Sequence, residues 1–303
     1  MEKQTFYSNG KLLLTGEYLV LNGAVALAIP TKFGQTLTIH ASEKLGIQWT
    51  SYNHDQQIWL EALLTFEQIL KNEKVGDEKV NTLINIIHQA HLLDSTVLHE
   101  NVAISIETHL TFPRLWGLGT SSTLINNLAQ WFKIDAFNLL KMTFGGSGYD
   151  IACAKNDSPI LYRLQADLPK IKSIAFNPIF KDKLYFVYLN QKQDSQLAVK
   201  AFFNKQATFD KPIKQISKIT KKLFETNKFN TFCQLLEAHE VIMSEVLEQS
   251  TIKESLFSDF NGSIKSLGAW GGDFVLVASE ENPMSYFKSK GFHTILSYTD
   301  LVK

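Results

Sequence analysis

Residues Gly117-Leu118-Gly119-Thr120-Ser121-Ser122-Thr123 form a glycine- and hydroxyl-rich stretch that runs into an apolar-periodic segment ending at Phe132. Two glycines let a backbone turn tightly and approach a ligand closely. Hydroxyls at a helix start sit beside its first free amides, where the helix dipole favours an anion. The stretch reads as a phosphate cradle, against the simpler alternative that Ser and Thr merely cap a helix. It is not a Walker-type loop, since no Gly-Lys-Ser/Thr follows. It also lacks the third glycine and later acidic residue of a dinucleotide fingerprint.

Three further segments carry residue types suited to phosphoryl transfer. Asn9-Gly10-Lys11-Leu12-Leu13-Leu14-Thr15-Gly16-Glu17-Tyr18 offers a lysine after a glycine. Gly145-Gly146-Ser147-Gly148-Tyr149-Asp150 puts a carboxylate behind a glycine turn at a helix start. Lys265-Ser266-Leu267-Gly268-Ala269-Trp270-Gly271-Gly272-Asp273 is a glycine-rich bend before the strand-like Phe274-Val275-Leu276-Val277. Phosphoryl transfer needs positioning and charge neutralisation more than covalent help. A carboxylate can orient an attacking hydroxyl and take its proton. An ammonium group can keep that carboxylate ionised and offset charge on the moving group. Each residue also has a plain structural reading: Lys11 as a strand-end lysine, Asp150 as a helix cap, Glu17 as half of a surface pair.

With these segments in this order, the chain resembles the GHMP kinase superfamily, which includes galactokinase, homoserine kinase, mevalonate kinase and phosphomevalonate kinase. The run Gly10–Gly23 is most similar to the mevalonate and phosphomevalonate kinases, and Gly-Tyr-Asp-Ile-Ala at 148–152 resembles a bacterial subgroup known by those letters. The resemblance implies that residues 117–123 cradle the phosphates of ATP and that Ser121 helps hold Mg²⁺. It implies Asp150 as the acceptor of the substrate hydroxyl proton, with Lys11 beside it. Glu17, Ser147, Gly148, Gly268 and Ala269 are the implied substrate-side residues. The fold implied is α+β in two domains: 1–168 like ribosomal protein S5 domain 2, and 169–303 ferredoxin-like. The activity implied is ATP-dependent phosphorylation of mevalonate or phosphomevalonate in isoprenoid precursor synthesis. Another small alcohol, such as a sugar or homoserine, is an alternative acceptor, although Lys11 and Asp150 disfavour homoserine. A non-catalytic nucleotide or metabolite sensor on the same fold is the reading from a different class.

The chain departs from the family pattern at several points. Leu115-Trp116 precede the first glycine where small residues are usual, and Trp270 and Asp273 enter the third motif. The interval between Thr123 and Asp150, where relatives often carry a second Mg²⁺-binding carboxylate, holds only Asp135. A phosphorylated acceptor would call for extra cations, for which Arg114, Lys155 and Lys192 are candidates. Lys192, Asp194 and Ser195 open a helix and either touch substrate or cap it.

Bulk properties narrow the partners. The chain has 303 residues, 45% hydrophobic and 20% charged, with zero formal net charge. That balance supports a substantial core and argues against nucleic acid or an anionic membrane as partner. No apolar run approaches the length of about 18 residues that a spanning helix needs. Two cysteines, Cys153 and Cys233, without metal or redox spacing suit a cytoplasmic setting. A small-molecule acceptor is the expected partner, and a homodimer is left open. Lysine supplies 28 of the 30 basic residues, and the only arginines are Arg114 and Arg163.

The elements that must position these residues follow from periodicity. Strands are expected at 5–7 and 11–14 around a turn at Ser8-Asn9-Gly10, at 17–21 and 24–29 around Asn22-Gly23, and at 34–40, 46–50 and 101–108. Helices are expected at 59–72, 78–93, after the glycine loop, at 135–142 and from Ile151. Residues 166–183 show no clear period. Beyond them, strands are expected at 184–189, 273–279 and 293–298, and helices at 195–206, 211–226, 228–246 and 283–290.

Overall fold

The structure, a computed structural model, describes residues 2–191, 195–204 and 208–303. It forms two compact units, each drawn from separate stretches of chain. The first comprises Met1–Gly10, Phe33–Arg114 and Leu118–Lys155; the second comprises Lys11–Lys32, Leu115–Gly117 and Asn156–Lys303.

The first unit contains the beginning of β1 (Gln4–Thr15), the end of β2 (Ala26–Ala41), β3 (Gly46–Tyr52), β4 (Ile58–Leu64) and β5 (Ala103–Leu110). Its helices are α1 (Phe66–Lys71), α2 (Glu78–Leu93), α3 (Thr120–Phe132), α4 (Ala136–Thr143) and α5 (Tyr149–Lys155). β3 lies between β4, antiparallel to it, and β5, parallel to it, and β5 pairs antiparallel with β2 from Gln35 to Ala41. Leu37, Ile39, Trp49 and Ile106 of this sheet meet Leu83, Ile87, Leu128 and Phe132 of the helices in one core.

The second unit contains the remainder of β1 and β2, then β6 (Ile160–Gln165), β7 (Leu168–Ser173) and β8 (Leu184–Tyr188). There follow α6 (Ser195–Phe203), α7 (Asp210–Glu225), α8 (Phe229–Leu247), α9 (Ile252–Leu256), β9 (Ser263–Ser266) and β10 (Phe274–Ala278). It closes with α10 (Met284–Ser289), β11 (Ile295–Ser297) and α11 (Tyr298–Leu301). β8 to β11 make an antiparallel sheet in the order β11-β8-β10-β9. Numbered within that sheet the order is 4-1-3-2, with helices after its first and third strands, which is the ferredoxin-like arrangement. The bend 267–273 is the connection of the β9–β10 hairpin. The expected α+β class is therefore what the chain adopts.

Several local expectations differ from what forms. The expected helix 59–72 is β4 followed by the short α1. Leu60 and Leu64 recur at a spacing common to both periods, and pairing with β3 selects the strand. A capping box between Thr65 and Gln68 then starts α1. Ser8-Asn9-Gly10 is no turn: β1 runs straight through it, because Ser8 is buried and its hydroxyl donates to Asn127 Oδ1 at 2.7 Å. Leu19–Asn22 is a 3₁₀ turn ended by Gly23 in the left-handed region, so no hairpin forms there. β6, β7, β9 and α9 carried no clear signal in the sequence; β7 is mostly exposed, and its pairing with β6 makes it a strand.

Candidate functional site

In the first unit, the stretch 118–123 opens α3. Gly119 is its N-cap, in the left-handed region at φ 97°, and no side chain caps the helix. The four hydroxyls divide into two pairs. Ser122 donates to Gly119 O at 2.9 Å, and Thr123 donates to Gln35 Oε1 at 2.8 Å, so both are spent inside the fold. Thr120 and Ser121 instead line a cavity of about 140 Å³. The plain capping alternative is therefore not what these residues do. The first-turn amides of α3 have no intrahelical acceptor by construction, and no side chain caps them.

Below its N-terminus α3 is fixed by buried polar contacts. Asn126 Nδ2 donates to Ser8 Oγ at 2.8 Å, and Asn127 Nδ2 donates to Gln35 O at 2.9 Å. These bonds tie the helix to β1 and β2, so its N-terminus is preorganised.

The same cavity is walled by Trp49, Trp59, Lys79 and Thr82. Trp49 Nε1 donates to Ser51 Oγ at 2.8 Å, whereas the buried Trp59 Nε1 has no hydrogen-bond partner among the described residues. The Arg114 guanidinium stands 4.8 Å from the centre of the Trp59 ring. The Trp59 ring therefore walls the cavity, while its own N–H is enclosed by the surrounding side chains. Sequence reasoning missed Trp59 and Lys79, which lie far from the glycine motifs.

Asp150 lies in the first turn of α5, after Gly148 in the left-handed region. Its Oδ1 accepts from the adjacent Ile151 N at 3.0 Å, and the first helical bond is made by Gly148 O instead, so Asp150 is not the cap. Ser147 and Gly148 belong to the same turn, and α5 packs on α3. Asp135 is an ordinary cap, accepting from Phe137 N at 2.6 Å and Asn138 N at 3.3 Å. Among the described residues no group of three or more His, Cys, Asp or Glu could hold a metal.

In the second unit, Lys11 Nζ donates to Gly117 O at 2.9 Å. The Asp273 carboxylate packs against Gly117: a Cβ there would lie 2.4 Å from Oδ2. Asp273 itself is buried and left-handed, at φ 53°, a strained choice for a residue with a side chain. Trp270 is a core residue: its Nε1 donates to Ser250 O at 3.1 Å and its N donates to Tyr18 Oη at 3.0 Å. Trp116 stacks edge-on against Phe274, 5.6 Å between ring centres. Gly268 is left-handed with open space around its Cα, and Ala269 is buried next to it.

Glu17 is buried. Its Oε1 meets Lys265 Nζ at 2.5 Å and its Oε2 lies 3.3 Å from His239 Nε2. Gly16 N donates to that same Nε2, which makes it an acceptor and assigns the proton to Nδ1. Burial holds His239 well below the usual histidine range, so the ring is neutral. Glu240 completes the cluster, 3.7 Å from Lys265 Nζ, and burial pushes its carboxyl up to about 7. Lys192 and Asp194 lie outside the described residues, as does the side chain of Ser195.

Comparison with solved structures places this arrangement in a known fold. L. major mevalonate kinase in complex with R-mevalonate superposes with a TM-score of 0.69 at 16% identity, covering 99% of this chain and 96% of that one. Streptococcus pneumoniae phosphomevalonate kinase in complex with phosphomevalonate and AMPPNP gives 0.67 at 17% identity, covering 95% of each. The chain has the GHMP kinase fold. Lactococcus lactis galactokinase complexed with galactose shares it, with a TM-score of 0.64 at 13% identity over 98% of this chain and 93% of that one. No family model and no curated protein matches the GHMP-fold chain by sequence. No helix among the described residues is long and apolar enough to cross a membrane.

Proposed function

We propose that this GHMP-fold chain is an ATP- and Mg²⁺-dependent kinase of a small alcohol or phosphorylated alcohol, with mevalonate or phosphomevalonate as acceptor. One observation carries the reading: α3 begins uncapped at Gly119, and its two unspent hydroxyls, Thr120 and Ser121, line a cavity walled by the Trp49 and Trp59 side chains. In this reading the amides of the first turn bind the triphosphate, and the nucleobase enters the cavity beside the Trp59 ring. Thr123 and Ser122 keep the loop rigid instead of touching the ligand. Asp150 orients the acceptor hydroxyl and takes its proton. Lys11, fixed on Gly117 O, lends positive charge to the transferring group.

The donor set fits Mg²⁺. Ser121 offers an exposed hydroxyl oxygen that no hydrogen bond consumes among the described residues, and this hard cation takes few protein ligands when phosphates and water supply the rest. Bound there, the ion would neutralise charge on the phosphates. Glu17, engaged by Lys265, is a positioning residue for the turn after β1, not a substrate contact.

The second reading, a nucleotide or metabolite sensor, is favoured by the altered third motif, where Trp270 is a core residue and Asp273 is buried. A coupled ADP-release assay with Mg²⁺-ATP against mevalonate, phosphomevalonate, galactose and homoserine separates the two. Turnover on one acceptor, lost in Asp150→Asn, supports the kinase. Nucleotide binding with no turnover on any acceptor supports the sensor.

A further inference from the structure

The second unit carries a groove of about 310 Å³ lined by Arg163 of β6, by Lys214, Ser217, Lys218 and Lys221 of α7, and by Val25. Four cations converge on it and no carboxylate lines it. Among the described residues none of the four pairs with an acid. Lysines elsewhere on the surface do pair: Lys71 with Glu67, Lys290 with Asp259 and Lys303 with Asp157.

The groove is built, not a loose fringe of charge. Arg163, one of only two arginines in the chain, donates Nε to Gly23 O at 2.8 Å, which holds the guanidinium in place with its remaining N–H groups unspent. Ser217 Oγ accepts from Val25 N at 3.0 Å, so its own proton is left to donate. Lys214, Ser217, Lys218 and Lys221 recur at helical spacing, which puts them on one stripe of α7. Like charges at that spacing repel along a helix, and the fold gains nothing from them by itself.

We infer that this groove is a binding site for a small molecule carrying two phosphates, held by Arg163 and the lysine stripe of α7. Guanidinium matches phosphate with paired hydrogen bonds, and the ammonium groups add charge at adjustable positions. The volume suits a compact ligand, and the zero net charge of the chain argues against a long polyanion. The site would also bear on the N-terminal motif. The Thr220 hydroxyl of α7 is hydrogen-bonded to the Thr15 hydroxyl, 2.8 Å between oxygens, and donates to Val25 O at 3.0 Å, while Ser217 holds Val25 N. α7 therefore grips both ends of the turn that carries Glu17, and a ligand drawing α7 toward Arg163 acts on that turn. The inference does not depend on the kinase reading.

The test is calorimetric titration of inorganic pyrophosphate into the full chain, in magnesium-free buffer with excess ADP present to fill any nucleotide site. The expected result is one site, weakened roughly tenfold or more in Lys214→Ala and Lys218→Ala but not in Lys222→Ala. Lys222 lies on the same helix but does not line the groove, and Arg163→Gln, expected to weaken binding similarly, checks the β6 side. No binding, displacement by ADP, or an equal loss in all three lysine variants would overturn the site. Tighter binding of a short oligonucleotide or of anionic vesicles through the same lysines would overturn the small-molecule assignment.

Discussion

Lys265 and Glu17 form an ion pair of 2.5 Å with side chains only 0% and 3% exposed, and it joins β9, just before the β9–β10 bend, to the turn that follows β1. Two of the four glycine-containing segments are thereby fastened together inside one unit. Desolvation makes such a pair costly to form and costlier to break by halves.

Removing one partner should show this asymmetry. Lys265→Met is expected to destabilise the protein by about 3–5 kcal/mol, because it strands a buried carboxylate. The double change Glu17→Leu with Lys265→Met should recover most of that loss. Urea unfolding of the single and double variants measures both; an equal loss in the two would show that packing, not charge, sets the cost.

The buried Glu240 predicts a pH dependence. Lys265 and Glu17 face it, Ser266 donates to it at 3.2 Å, and neutral His239 is its neighbour along α8. Burial raises its carboxyl from 4.5 in the unfolded chain to about 7. The folded state then holds the proton more tightly, so its contribution is complete below pH 4.5 and lost as pH rises to about 7. The full span amounts to about 3 kcal/mol as an upper bound. Glu240→Gln should flatten the stability profile over that interval, and denaturant midpoints across it are the measurement.

Gly117 is pressed between backbone demand and a neighbour. Gly117→Ala would carry a side chain at φ 69° and place its Cβ 2.4 Å from Asp273 Oδ2. We expect a loss of about 2–4 kcal/mol from the contact and the left-handed backbone together. In an Asp273→Gly background the loss should shrink to about 1–2 kcal/mol, leaving the backbone cost alone. A double-mutant cycle by thermal unfolding reads the difference.

Trp59→Ala removes the ring that walls the cavity and lies under Arg114. Nucleotide affinity should fall about tenfold or more, the size of one lost aromatic contact. Equilibrium titration with a fluorescent ATP analogue checks it, and unchanged affinity would remove the base from this cavity.

Asp150→Asn should leave nucleotide affinity intact while reducing turnover by about 10²–10⁴, the usual worth of a general base. Single-turnover measurement separates the chemical step from binding.

The sequence by itself determined the parts whose signal is local. The periodic helices α2, α3, α7 and α8 form where the pattern of apolar residues puts them, and Gly119 opens α3 because a left-handed turn is cheapest there. The glycine-containing segments, taken in order, were enough to point to the fold. Tertiary structure alone decided the rest. β4 is a strand because β3 pairs with it, although Leu60 and Leu64 suit either period. Four hydroxyls in a row look alike in sequence; Gln35, more than eighty residues upstream, makes Thr123 structural, whereas Ser121 stays exposed. Glu17 reads as a surface or substrate carboxylate until Lys265, brought from the far end of the chain, buries it. Local pattern encodes backbone geometry, but whether a polar group is spent or unspent depends on partners that only the folded chain supplies.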